Sequence, residues 1–248
     1  MKIPVFSATP LLAVLIWAAA LVADPGPFAP GAVLLITVGL LAMATVGMVG
    51  ITVTGGRWAH RTSLFAVGAM LVLSVVRPID LWWALALVCT VLAGLALFSR
   101  TVTGGIRKLP AASGPPERAV LIPLLLIGLP FLLGVAAWGE PSAGTLIVGL
   151  SAPVTALWYA RVFPGGLYTV RIVWPALAVG LAFTQWLAPA IVSLGAGVTI
   201  AVLAWHPSVK TAFHPPREIG TVHPIPPELA PSEVLHAAEL DEKGRPKK

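Results

Sequence analysis

The amino-acid sequence reads as an all-α, polytopic transmembrane bundle of about eight spans, with both termini in the cytoplasm. Composition is the first reason: hydrophobic residues make up 57% of the 248-residue chain, charged residues only 10%, and the mean hydropathy is +0.91. Soluble domains carry about 25% charged residues, so a water-soluble globule is excluded. The second reason is a succession of apolar stretches near the roughly 20 residues that a helix needs to cross the hydrocarbon. The third is that lysine and arginine gather in alternate gaps between those stretches.

The stretches place spans at 4–23, 32–53, 62–76, 81–99, 119–138, 143–160, 168–185 and 190–206. Turn chemistry bounds them. Asp24-Pro25-Gly26-Pro27 ends the first, Arg77-Pro78 the third, and Glu140-Pro141 follows the fifth. The third stretch is short enough to suggest a re-entrant segment. Not crossing there would put the basic loop 100–118 outside, so it is read as a true span extended by Arg77 snorkelling outward. Lys2 ahead of an apolar run resembles a signal peptide, but Leu21 and Ala23 make a poor cleavage site, so the first span is kept.

Charge orients the bundle. Lys2, Arg57, Arg61, Arg100, Arg107, Lys108, Arg118, Arg161 and Arg171 fall on one side, with Glu117 their sole acid. Asp24, Asp80 and Glu140 fall on the other, with Arg77 the sole base. The basic side is cytoplasmic by the positive-inside bias, and the membrane is read as a bacterial plasma membrane. The same placement explains the pI near 10 without nucleic acid, because no contiguous basic face forms. Trp58, Trp158 and Trp205 near cytoplasmic ends, and Trp82, Trp83, Trp138 and Trp186 near outer ends, read as interfacial belts.

Within lipid, apolar burial does not drive helix association; close backbone approach at small residues does. Gly39, Ala42, Ala44, Gly47 and Gly50 offer such a face on the second span, Ala176 and Gly180 on the seventh, and Gly195, Ala196, Gly197 and Ala201 on the eighth. These faces serve packing within the chain or against another subunit. Pro123, Pro130, Pro153 and Pro175 are expected to kink their helices.

Chemistry is sparse. No Asp, Glu, Lys or His occupies the midplane of a predicted span, which argues against a titratable relay. The single Cys89 lies in an apolar run and reads as a small packing residue. Asp24, Asp80 and Glu140 on separate outer loops are read as solvated charges in preference to a cation-attracting ring, with Arg77 and Asp80 pairing across their turn. No residues are assigned to catalysis, a cofactor or a metal. The one specific echo is Thr52-Val53-Thr54-Gly55-Gly56-Arg57, which recurs as Thr101-Val102-Thr103-Gly104-Gly105 with Arg107 after it. Gly165-Gly166 followed by Arg171 is a looser third copy. Glycine stops a helix and arginine marks the cytoplasmic side in the plainer account. In the sharper one, Gly55, Gly56, Arg57, Gly104, Gly105, Arg107 and Arg171 contact lipid headgroups.

The bundle therefore occupies 1–206, and 207–248 form a proline-rich cytoplasmic tail with a short amphipathic helix near 232–243. So short a helix is marginal alone and needs a surface to dock on. The leading functional expectation is a non-catalytic multipass subunit or scaffold, with membrane lipids and other membrane subunits as partners. The rival expectation is a transporter or flippase for a lipid or small amphiphile.

Overall fold

The computed structural model describes residues 3–54, 57–75, 80–108, 117–160 and 164–209. The tail from 210 onward, including the expected helix at 232–243, lies outside the described residues, as does Arg77. Among the described residues the chain is helical, without strands. The helices are α1 Ile3–Ala23, α2 Pro30–Val49, α3 Arg57–Val75, α4 Leu81–Phe98, α5 Arg100–Lys108, α6 Glu117–Ala137, α7 Ala143–Ala160, α8 Pro164–Tyr168, α9 Trp174–Ala182 and α10 Leu187–Ala204. Two π-helical turns extend them: Gly50–Thr54 continues α2, and Thr169–Val173 joins α8 to α9.

Eight of the resulting helical spans are long and apolar enough to cross a membrane. The third is no re-entrant stub. It runs Arg57–Val75, 19 residues, about 28 Å at the usual rise of 1.5 Å per residue. It gains length at its N-terminal end by taking in Arg57, Trp58, His60 and Arg61. The seventh span is likewise displaced toward its start, Gly165–Ala182 where 168–185 was expected.

Helices α2 and α6 form the centre. α2 packs on α1, α3, α6 and α7, and α6 packs on α7 and α10 as well. α4 flanks α1 and α3 on one side; α9 flanks α7 and α10 on the other. Glycine makes the central contacts possible. A Cβ added at Gly39 would lie 2.9 Å from the Phe131 Cα, and one at Gly134 would lie 2.9 Å from the Ala32 carbonyl oxygen. Gly47 abuts Ser63, Gly149 abuts Leu35, and Gly50 meets Ala59 and Trp58. The face expected on the second span is thus an internal seam, where backbones approach to dispersion distance.

A buried polar contact joins α1 to α4. Trp17 Nε1 donates to Thr90 Oγ1 at 2.7 Å, and Thr90 donates in turn to the Ala86 carbonyl at 2.8 Å. The Trp17 and Trp83 rings meet edge to face at 4.9 Å. Hydrogen bonds of this type in membranes contribute roughly 0.6 kcal/mol each, so the pair fixes the register of α1 on α4 more than it stabilises the bundle. It also corrects one expectation. Trp83 is 2% exposed and belongs to the core, whereas Trp82 is 53% exposed at the interface. Consecutive helical residues point about 100° apart, so only one of the two faces lipid.

Proline acts unevenly. Pro123 and Pro130 lie inside α6, Pro153 inside α7 and Pro10 inside α1, and all three helices run through them. Pro175 differs. A proline ring would strike the carbonyl four residues back, here that of Arg171. The widened turn opens the ladder at this point, and the Trp174 amide donates to the Thr169 carbonyl five residues back.

Candidate functional site

Chain alternation through eight spans gathers the helix ends into an acidic end and a basic end. At the acidic end the charges are structural. Asp80 N-caps α4, its carboxylate accepting from the Trp83 amide at 2.8 Å. Asp24 accepts from the Gly26 amide at 3.2 Å within its turn. Glu140 stands beside Gly31 and Pro141. Phe28 and Trp138 rings meet at 5.8 Å across the loops, with Trp138 ending α6 in a left-handed conformation at φ 51°.

Among the described residues the basic end holds two side-chain clusters. In the first, His60 on the opening turn of α3 reaches the closing turn of α4, with Nε2 3.1 Å from the Leu97 carbonyl. A carbonyl only accepts, so Nε2 carries the hydrogen. The bond satisfies one of the four carbonyls that a helix end leaves without a partner. The Phe98 ring stands edge-on to the imidazole at 6.4 Å. Beyond it, Ser99 breaks the helical path with ψ 148°, and its backbone carbonyl accepts from the Thr103 amide to start α5.

The second cluster closes α10. Arg171, half-buried in the Thr169–Val173 turn, donates from Nε to the Ala204 carbonyl at 2.8 Å. Its guanidinium carbon sits 4.9 Å from the centroid of the Trp205 ring, within the range of a cation–π contact. Arg118, on the first turn of α6, is hydrogen-bonded to His206 Nε2. Arginine only donates, so Nε2 accepts; on the other side of the ring, His206 Nδ1 lies 2.8 Å from Ser208 Oγ and 3.3 Å from the Ser208 amide nitrogen. Two guanidiniums therefore flank the last turn of α10, tied to residues 204 and 206.

The residues singled out from the TVTGG echo do not converge on one site. Gly55 and Gly56 lie outside the described residues, as do the side chains of Arg107 and Gly105's surroundings. Arg57 is exposed at the start of α3. Gly104 and Gly105 lie within α5 rather than stopping a helix. Inside a helix an amide points along the axis to the preceding turn, so this pair offers an anion no outward N–H group. The first copy, by contrast, enters a π turn in which Thr52 Oγ1 donates to the Met48 carbonyl at 2.9 Å. Gly166 serves packing, since a Cβ there would meet the Trp158 carbonyl at 2.8 Å. Among the described echo residues Arg171 alone has an elaborated setting, and it leans on α10 instead of simply snorkelling. His60, Arg118 and His206 were not singled out for this role. Their partners lie 37 and 88 residues away in sequence, and no local motif marks such pairs.

The arrangement is that of a multipass integral membrane protein of the all-α class, with eight apolar helices among the described residues long enough to span a membrane. No family model matches the chain, and neither does any curated protein or solved structure with which it was compared.

Proposed function

We propose that this chain is a non-catalytic subunit or scaffold of a larger membrane assembly, seated in a bacterial plasma membrane with both termini cytoplasmic. The observation that carries the reading is the contrast between its inward and outward glycines. Gly39, Gly47, Gly134 and Gly149 are filled by neighbouring helices of the same chain. Gly180 on α9 and Gly195 on α10 have nothing within 4 Å of where a Cβ would stand. Ala176, one turn before Gly180, is exposed too. A glycine facing lipid lowers helix propensity by about 1 kcal/mol relative to alanine with no packing in return, and another subunit's helix would supply that packing.

The test is native mass spectrometry of the protein gently extracted from its own membrane. A stoichiometric protein partner, weakened when 232–248 are deleted while the bundle still inserts, is the expected result. A lone chain that moves lipid or a small amphiphile across liposomes unaided would replace this reading with the transporter one, which the two π turns near the basic end favour.

A further inference from the structure

Arg171 lies inside a membrane-spanning segment, Gly165–Ala182, and among the described residues no carboxylate pairs with it. Uncompensated charge at such a position is costly and marks a functional group. Its Nε is committed to the Ala204 carbonyl and its face to Trp205, which fixes the plane of the fork. Among the described residues its two terminal amino groups make no further hydrogen bond, and its charge also acts on Tyr159. Arg118 flanks the same helix end through His206.

The sign of the local field follows from magnitudes. The C-terminus of α10 contributes about half a negative charge and the N-terminus of α6 about half a positive one, so the two dipoles nearly cancel. The two arginine charges remain, against a single neighbouring acid in sequence, Glu117. The surroundings are interfacial. Trp158 and Trp205 are 51% and 61% exposed and Tyr168 is 62% exposed, a collar of amphipathic rings typical of headgroup depth. A planar guanidinium edge matches two oxygens of a phosphate.

We propose that Arg171 and Arg118 bind the phosphate of an anionic phospholipid headgroup at the end of α10. The site is independent of whether the chain acts as a subunit. It takes a phosphodiester bearing net negative charge in preference to a zwitterion, because a choline would bring a cation against the two arginines.

The experiment uses the full chain in phosphatidylcholine nanodiscs doped with phosphatidylglycerol, followed by native mass spectrometry of retained lipid. Phosphatidylglycerol should be retained over phosphatidylcholine. Arg171→Gln and Arg118→Gln should each weaken that retention by roughly tenfold, the loss of one charge-assisted hydrogen bond. Arg171→Lys should recover part of it, since the charge returns without the fork. Arg100→Gln, which removes an exposed arginine at the start of α5, should leave retention unchanged. Should Arg171→Gln fail to fold for want of its contact with α10, Arg118→Gln reads the same site. Equal loss in Arg100→Gln, or equal retention of both lipids, would overturn the proposal by reducing it to surface charge. Displacement of the lipid by millimolar inorganic phosphate would overturn the lipid assignment, and lipid held against that phosphate supports it.

Discussion

Gly39 and Gly180 are the same residue in two solvents. Gly39 faces the Phe131 backbone with no room for a methyl group, and Gly180 faces open space. Gly39→Ala should therefore lower the thermal unfolding midpoint of the purified chain in detergent, by an amount corresponding to about 1–3 kcal/mol of overpacking. Gly180→Ala in the same assay should be neutral or slightly stabilising, because alanine is the better helix former. Equal destabilisation by both would mean that the seam along α2 is not where α6 packs. The sequence showed small residues at helical spacing on both segments but not which ones face inward. Lipid and protein interior are equally apolar, so the polarity difference that reveals a buried face in water is missing here. The same loss of contrast hid Trp83, which stands beside lipid-facing Trp82 and packs on Trp17.

Element boundaries were legible to within a few residues because bilayer thickness sets them. The exceptions have physical causes. α3 begins at Arg57, ahead of the apolar run, since His60 finds the Leu97 carbonyl and its polar ring is no longer a cost at that depth. The widened turn before Pro175 was foreshadowed as a kink, but its i→i+5 bond and its placing of Arg171 against α10 depend on a partner helix that local sequence does not name. His60→Ala should loosen the junction between α3, α4 and α5, lowering stability by about 1 kcal/mol and speeding hydrogen exchange at the Ser99–Thr103 amides. His60→Gln, whose amide nitrogen can also donate, should recover much of both. Unchanged exchange in the alanine variant would show that the imidazole does not hold that helix end.

For the whole molecule, the sequence made the class plain and left the rest to the fold. Composition and span length sufficed for an eight-span bundle. The candidate site was legible only at Arg171, because Arg118 and His206 meet through topology across 88 residues. Acidic and basic ends also follow from alternation, and the basic end carries both side-chain clusters that tie helix termini together. Sidedness is therefore the claim on which the headgroup site and the docking tail both depend.

Impermeant maleimide labelling of intact cells tests it most directly. In a Cys89→Ala background, single cysteines would be introduced as Pro27→Cys, Gly139→Cys and Ser113→Cys. Pro27 and Gly139 are exposed at the acidic end, and a Cβ at Gly139 meets only the Ala137 carbonyl at 3.9 Å. Gly31 is unsuitable, because Pro141 stands 2.6 Å from where its Cβ would lie. The account predicts that Pro27→Cys and Gly139→Cys label in intact cells, and that Ser113→Cys labels only after permeabilisation. Labelling of Ser113→Cys in intact cells with protection of the other two would contradict it.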